Sequence, residues 1–145
     1  MKSLIDINVL IALHDLDHLH HSIAKKWFSE NATKGWASCP LIQNACLRIM
    51  NQPSYPNCQP LSVLIELLSP TFTSKHHEFW PDDLSIVDPD IFEHRHIHGH
   101  RQLTDCYLLA LAVARGGRFV SFDRTIALTS VKKARAVNLV AILNS

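Results

Sequence analysis

The chain has 145 residues, 47% of them hydrophobic, and a formal net charge of +1. That length suits one domain, here taken as 1–145, with enough apolar material for a core of its own. No apolar run approaches the roughly 20 residues of a membrane span, and the acid at position 6 comes too early for a signal peptide, so a cytoplasmic protein without a membrane partner is expected.

In chain order, residues 2–6 read as a short buried strand, and a helix follows through Val9–Leu13. Residues 20–33 look helical, with Ile23, Ala24, Trp27 and Phe28 recurring at three- and four-residue spacing. Gly35 breaks that helix before a second strand at 36–39. Trp27, Phe28 and Trp36 read as core rather than as platforms for base stacking. Pro40 suits a helix first turn, and Ile42, Ala45 and Ile49 make its apolar stripe. Pro53, Pro56 and Pro60 mark a loop. Another helix spans 61–68, stopped by Pro70. A short strand is expected near 77–80 and an irregular or short helical piece near 88–93. The clearest helix is 103–115, closed by Gly116 and Gly117. A strand at 118–122, a turn or short helix at 124–130 and a last strand at 138–142 complete the pattern. Strands alternating with helices imply a parallel sheet of about four or five strands, covered on both faces.

Four cysteines, at 39, 46, 58 and 106, are scattered without a zinc-type pair and read as free, buried thiols. The charge is unevenly spread. Residues 1–94 carry 6 basic and 11 acidic side chains, whereas residues 95–145 carry 8 basic and 2 acidic. Those two acids are Asp105 and Asp123. Carboxylates set in a basic segment suit a cation site that must also attract a polyanion. Asp6 and Asp123 each close an apolar strand, and Asp105 opens an apolar helix. In α/β proteins the carboxyl ends of parallel strands are where ligands bind. Three acids gathered there would hold a hard divalent cation. Each has a structural alternative: Asp6 or Asp123 as a helix cap, Asp105 as a first-turn acid favoured by the helix dipole. Asn8, two residues after Asp6, and Ser121, two before Asp123, are placed to orient those carboxylates.

These segments resemble a known family. Leu4-Ile5-Asp6-Ile7-Asn8-Val9-Leu10 is similar to the opening motif of PIN-domain ribonucleases. Leu103-Thr104-Asp105-Cys106-Tyr107 resembles their third acidic motif, and Arg118-Phe119-Val120-Ser121-Phe122-Asp123 the fourth. Pro40-Leu41-Ile42-Gln43-Asn44-Ala45-Cys46-Leu47-Arg48-Ile49 is similar to the second motif of VapC-type toxins. The resemblance implies a three-layer α/β/α sandwich around a parallel sheet. It implies a metal-dependent endoribonuclease, with Mg²⁺ or Mn²⁺ on Asp6, Asp105 and Asp123, an RNA substrate, a small cognate antitoxin and a homodimer. An antitoxin arginine would enter the acidic pocket, and the apolar helices at 8–14 and 61–68 would supply contact surface.

One position departs from the pattern. The second motif normally supplies a glutamate, and here Gln43 stands in its place. Its carbonyl can coordinate a cation but brings no charge, so a weakened site is expected. A catalytically weak or inactive module that binds RNA or regulates is the alternative reading. Phosphatase and receiver-domain folds fit less well, because position 8 is Asn8 and Asp123 is followed by Arg124. Arg48 and Arg124 are candidate phosphate contacts. The alternating His94, His96, His98 and His100 read as a polar segment that, with Arg95 and Arg101, lines an entrance for RNA. Chelation of zinc, nickel or copper is the sharper and less favoured reading of that run.

Overall fold

The computed structural model describes residues 1–143. Five strands, β1 (Ser3–Ile5), β2 (Trp36–Ser38), β3 (His77–Phe79), β4 (Arg118–Ser121) and β5 (Leu139–Ala141), form one sheet in the order β3-β2-β1-β4-β5. Every pairing is parallel, with Leu4 opposite Ala37 on one side and Phe119 on the other. The helices are α1 (Ile7–His14), α2 (His21–Asn31), α3 (Pro40–Asn51), α4 (Leu61–Phe72) and α5 (His100–Ala114). They cover the sheet as an α/β/α sandwich, the expected architecture.

Apolar patterning explains the layers. β1 is buried along its whole length, as a central parallel strand flanked by helices must be. α5 buries Cys106, Leu108, Leu109, Ala110, Leu111 and Ala112, and packs on β1 and β4. Trp36 lies in the core against Phe28 and Phe72, and Trp27 and Phe28 pack at its margin. Cys39, Cys46 and Cys106 are buried free thiols; Cys58 is free but exposed, on the proline-rich loop.

The main differences from the sequence reading lie in α4, α5 and the histidine run. Pro70 does not stop α4, which runs on to Phe72. A proline in a last turn forfeits one hydrogen bond, and side chains support the backbone around it: Ser69 Oγ donates to the Ile65 carbonyl at 2.5 Å and Thr73 Oγ1 to the Ser69 carbonyl at 2.7 Å. α5 starts three residues early, at His100. The histidine run is neither a strand nor one helix: His94–His96 form a single 3₁₀ turn, and His100 opens α5. No helix among the described residues is long and apolar enough to cross a membrane.

Strand order fixes where a ligand belongs. The chain moves outward from β1 to β2 to β3, then returns to place β4 on the other side of β1. The carboxyl ends of β1 and β4 therefore flank the point where the winding reverses, the usual crevice of open α/β sheets.

Candidate active site

Asp6 follows β1 directly and is buried. Its N–H donates to the Val120 carbonyl at 2.9 Å, continuing the pairing of β1 with β4. Asp6 is also the N-cap of α1: Oδ1 accepts from the Ile7 N–H at 2.7 Å. Oδ2 accepts from the Ser121 hydroxyl at 2.6 Å. The capping role and a ligand role thus coexist, because each carboxylate oxygen keeps a second lone pair.

Ser121 does not hold the carboxylate of Asp123, contrary to the expectation. Its Oγ accepts from the Asp123 backbone N–H at 3.0 Å while donating to Asp6. One hydroxyl therefore ties the two acidic segments together. The Asp123 carboxylate is set instead by Thr125, whose N–H and Oγ1 both donate to Oδ1 at 2.7 Å. Thr125 was missed, although aspartate followed two residues later by threonine is a recurrent local turn. Asn8 is exposed on α1, and no hydrogen bond joins it to Asp6 among the described residues.

Asp105 comes from the second turn of α5, too far in to serve as a first-turn acid. With Asp123 it lines a cavity of about 270 Å³ that also includes His96, Arg101, Gln102, Cys106, Thr125, Ile126 and Ala127. Partial burial, then the charges of Asp6 and Asp123, push its carboxyl up to about 7. Burial raises Asp6 as well, with a smaller contribution from Asp123, against the hydrogen bonds of Ser121 and Ile7. The three acids sense one another electrostatically, as neighbours at one end of a sheet must.

Gln43 is half-buried on α3 and points elsewhere. Its amide donates to Ser38 Oγ at 3.0 Å, and Ser38 Oγ lies 2.7 Å from His77 Nε2. It lines a separate cavity with Leu47, Ile65, Leu68 and Phe72. Arg48 is exposed on the same helix. Arg124 points its guanidinium at the Leu143 carbonyl.

The acids suit a cation that keeps much of its water. Among the described residues no three Asp, Glu, His or Cys side chains enclose a metal point by themselves. Magnesium is commonly held by one or two carboxylates, waters and substrate phosphates rather than by a complete protein cage. Burial is the main cause of the raised Asp105 and Asp6 carboxyls, and the neighbouring acids add to it.

Comparison with known proteins agrees with this geometry. The PIN domain family model matches residues 3–132. This chain belongs to the PIN-domain family. Within it, the chain is 43% identical over 142 residues to ribonuclease VapC44 of Mycobacterium tuberculosis, covering 98% of this chain and 100% of that protein. Ribonuclease VapC39 of the same organism is 36% identical over 128 residues, 88% of this chain and 92% of the relative. These matches place the chain among the VapC-type PIN proteins. The fold is shared with VapC20 of Mycobacterium tuberculosis, a toxin that cleaves the sarcin–ricin loop, at a TM-score of 0.61 and 10% identity over 80% of this chain and 85% of that one. It is shared too with VapBC2 of Rickettsia felis bound to a promoter DNA fragment, at a TM-score of 0.58 and 10% identity over 85% and 89%.

Proposed function

We propose that this chain is a metal-dependent endoribonuclease, the toxin of a toxin–antitoxin pair, acting in the cytoplasm. The observation that carries the reading is the placement of Asp105 and Asp123 on one cavity, with buried Asp6 beside them electrostatically, at the β1–β4 switch point of a PIN fold. The names of the similar VapC ribonucleases support RNA as the substrate.

Asp6, Asp105 and Asp123 would hold Mg²⁺ or Mn²⁺. A bound cation of this kind supplies Lewis acidity and lowers the pKa of a bound water. The chain's own contribution is positional. Ser121 fixes one oxygen of Asp6, and Thr125 fixes one oxygen of Asp123, leaving the remaining lone pairs for ligation. Ile126 and Cys106 give the cavity an apolar or weakly polar wall. No side chain need form a covalent bond to phosphorus.

The second reading, a weak or inactive RNA-binding module, is favoured by one observation: the Gln43 amide is engaged with Ser38. Arg48 and Arg124 would then act as outer phosphate contacts at most. For partners we infer a homodimer and a small antitoxin. The supporting surface is apolar: Leu61, Val63, Ile65 and Leu67 on α4 are exposed as expected, whereas α1 buries Ile7, Val9, Leu10, Ile11 and Ala12 in the core and the exposed leucines there are Leu16 and Leu19, beyond its end.

The deciding experiment follows cleavage of total RNA against Mg²⁺ and Mn²⁺ concentration, using protein freed of antitoxin. Wild type is expected to cleave only with metal. Asp6→Asn and Asp105→Asn should be inert, and Gln43→Glu should keep the metal dependence of wild type, because residue 43 faces a separate cavity. Folded wild type and Gln43→Glu that are both inert would favour the binding-module reading. Cleavage by Asp6→Asn equal to wild type would assign the activity to another site or a contaminant.

A further inference from the structure

The arginines in the basic half of the chain are not equivalent. Arg95 is held by Glu93 at 3.0 Å and Arg115 by Asp83 at 2.9 Å. Arg118 donates to Ser3 Oγ at 2.9 Å, and Arg124 donates to the Leu143 carbonyl. Arg101 has no ion-pair or side-chain hydrogen-bond partner among the described residues, yet it lines the same cavity as Asp105 and Asp123. His96, on the 3₁₀ turn before α5, lines that cavity too, and its ring has no hydrogen-bond partner among the described residues. Its neighbour His94 differs: the ring is bonded to the Ile86 carbonyl at 2.8 Å.

Arg101 stands four residues before Asp105 on α5, so the two share a helix face with β-carbons roughly 5–6 Å apart. At that spacing an Arg–Asp ion pair is available, but none forms within 4.0 Å. The guanidinium is left as an unpaired cation one helical turn from the acids. A single-stranded chain running across the cavity with one phosphate at Asp105 and Asp123 brings the next phosphate within reach of that cation. The cavity, at about 270 Å³, lies at the small end of ligand pockets, which suits one nucleotide rather than a duplex. Ile126 and Ala127 give it an apolar wall for a base or ribose.

We infer that Arg101 and His96 form a phosphate-gripping subsite for the nucleotide next to the scissile bond, seating single-stranded RNA in register with the three aspartates. The inference rests on the RNA reading above and adds positioning residues to it. Arg101 presents a planar donor fork to phosphate oxygens, and His96 adds a ring N–H from the facing turn. Neither touches the reacting atoms, so their loss should weaken binding and raise KM more than it lowers kcat.

The test uses the full chain in EDTA, so that binding is read without turnover. Fluorescence anisotropy with a labelled single-stranded RNA of mixed sequence gives Kd at several salt concentrations. Arg101→Ala should weaken binding about tenfold, the effect of losing a charge-assisted hydrogen bond. It should also reduce the slope of log K against log salt by about 0.7, one phosphate contact on a single strand. Arg101→Lys should recover part of the affinity and all of the slope. His96→Ala should weaken binding less, and the affinity of His96→Gln should fall between those of His96→Ala and wild type. Lys34→Ala removes the same charge just before β2, at the opposite end of the sheet, and should leave Kd unchanged. Arg101 is exposed, so unchanged thermal melting is expected and checks folding. Arg101→Ala with the Kd and salt slope of wild type would overturn the subsite and leave the nuclease reading intact. A wild type that binds no RNA in EDTA would overturn the subsite alone, and wild type inert towards total RNA at every metal concentration would overturn the nuclease reading.

Discussion

Ser121 is the residue on which the site's geometry turns. It is buried, donates to Asp6 and accepts from the Asp123 N–H, so it joins the acids at the ends of β1 and β4. Ser121→Ala should leave the buried Asp6 Oδ2 and the half-buried Asp123 N–H each short of a partner, at a cost of about 1–3 kcal/mol in stability. Ser121→Thr should retain the hydroxyl, and a denaturant melt of the two variants separates loss of the hydrogen bond from the effect of size. RNA cleavage by Ser121→Ala should fall about tenfold or more, because Asp6 then keeps only the Ile7 N–H to orient its carboxylate. The three aspartates were legible in the sequence because each sits where an apolar run ends or begins, a pattern that strand geometry converts into one end of a sheet. Their partners were not. Sequence proximity suggested Asn8 for Asp6 and Ser121 for Asp123. The fold pairs Ser121 with Asp6 across 115 positions, because β1 and β4 are neighbours, and leaves Asn8 facing solvent.

At the scale of elements, apolar patterning located the five strands and the five α-helices, but not the 3₁₀ turns at His94–His96 and Ala136–Asn138. What it lacked was tertiary support. Pro70 reads as a stop locally, yet α4 continues past it because Leu64 and Leu68 are buried on the same helix and hold it against the core. Pro70→Ala should therefore restore a backbone donor in the last turn and stabilise the protein, by about 1 kcal/mol in a thermal or urea melt. A destabilised variant would mean the ring itself is needed. Gly117 carries the opposite constraint. A β-carbon there would lie 2.6 Å from the Lys2 carbonyl oxygen and 3.2 Å from the Trp80 ring, at the point where the chain enters β4. The oxygen is backbone and cannot swing away. Gly117→Ala should cost about 2–3 kcal/mol by forcing β4 away from β1, and RNA cleavage should drop with it, since Asp6 and Asp123 depend on that pairing. The glycine pair at 116–117 was read only as a helix stop. Gly116, at φ 66°, does that work, and Gly117 serves close packing.

For the molecule as a whole, the acidic cluster costs stability once its carboxyls lose their protons. The Asp105 carboxyl is pushed up to about 7, mainly by burial and then by Asp6 and Asp123, while in the unfolded chain it titrates near its ordinary 3.8. Between those two values the folded protein holds a proton that the unfolded chain has lost. Stability without metal is therefore greatest below about pH 4 as far as this group is concerned, and falls as pH rises to about 7. The raised Asp6 carboxyl acts in the same direction. Asp105 is only partly buried, so screening by water trims its contribution to roughly 1–2 kcal/mol. A divalent cation that takes the deprotonated carboxylates should stabilise the fold more at higher pH, because it binds the folded state alone. Thermal melts from pH 5 to 8 test this in one series. In EDTA the melting temperature should decline with pH by a few degrees. With millimolar Mg²⁺ or Mn²⁺ the decline should vanish or reverse. Asp105→Asn has no proton to lose, so in EDTA it should show a shallower slope and melt above wild type at pH 8, while gaining little from metal. An EDTA slope as steep in Asp105→Asn as in wild type would place the titration elsewhere. A metal effect of equal size in both proteins would show that the cation does not bind at these aspartates.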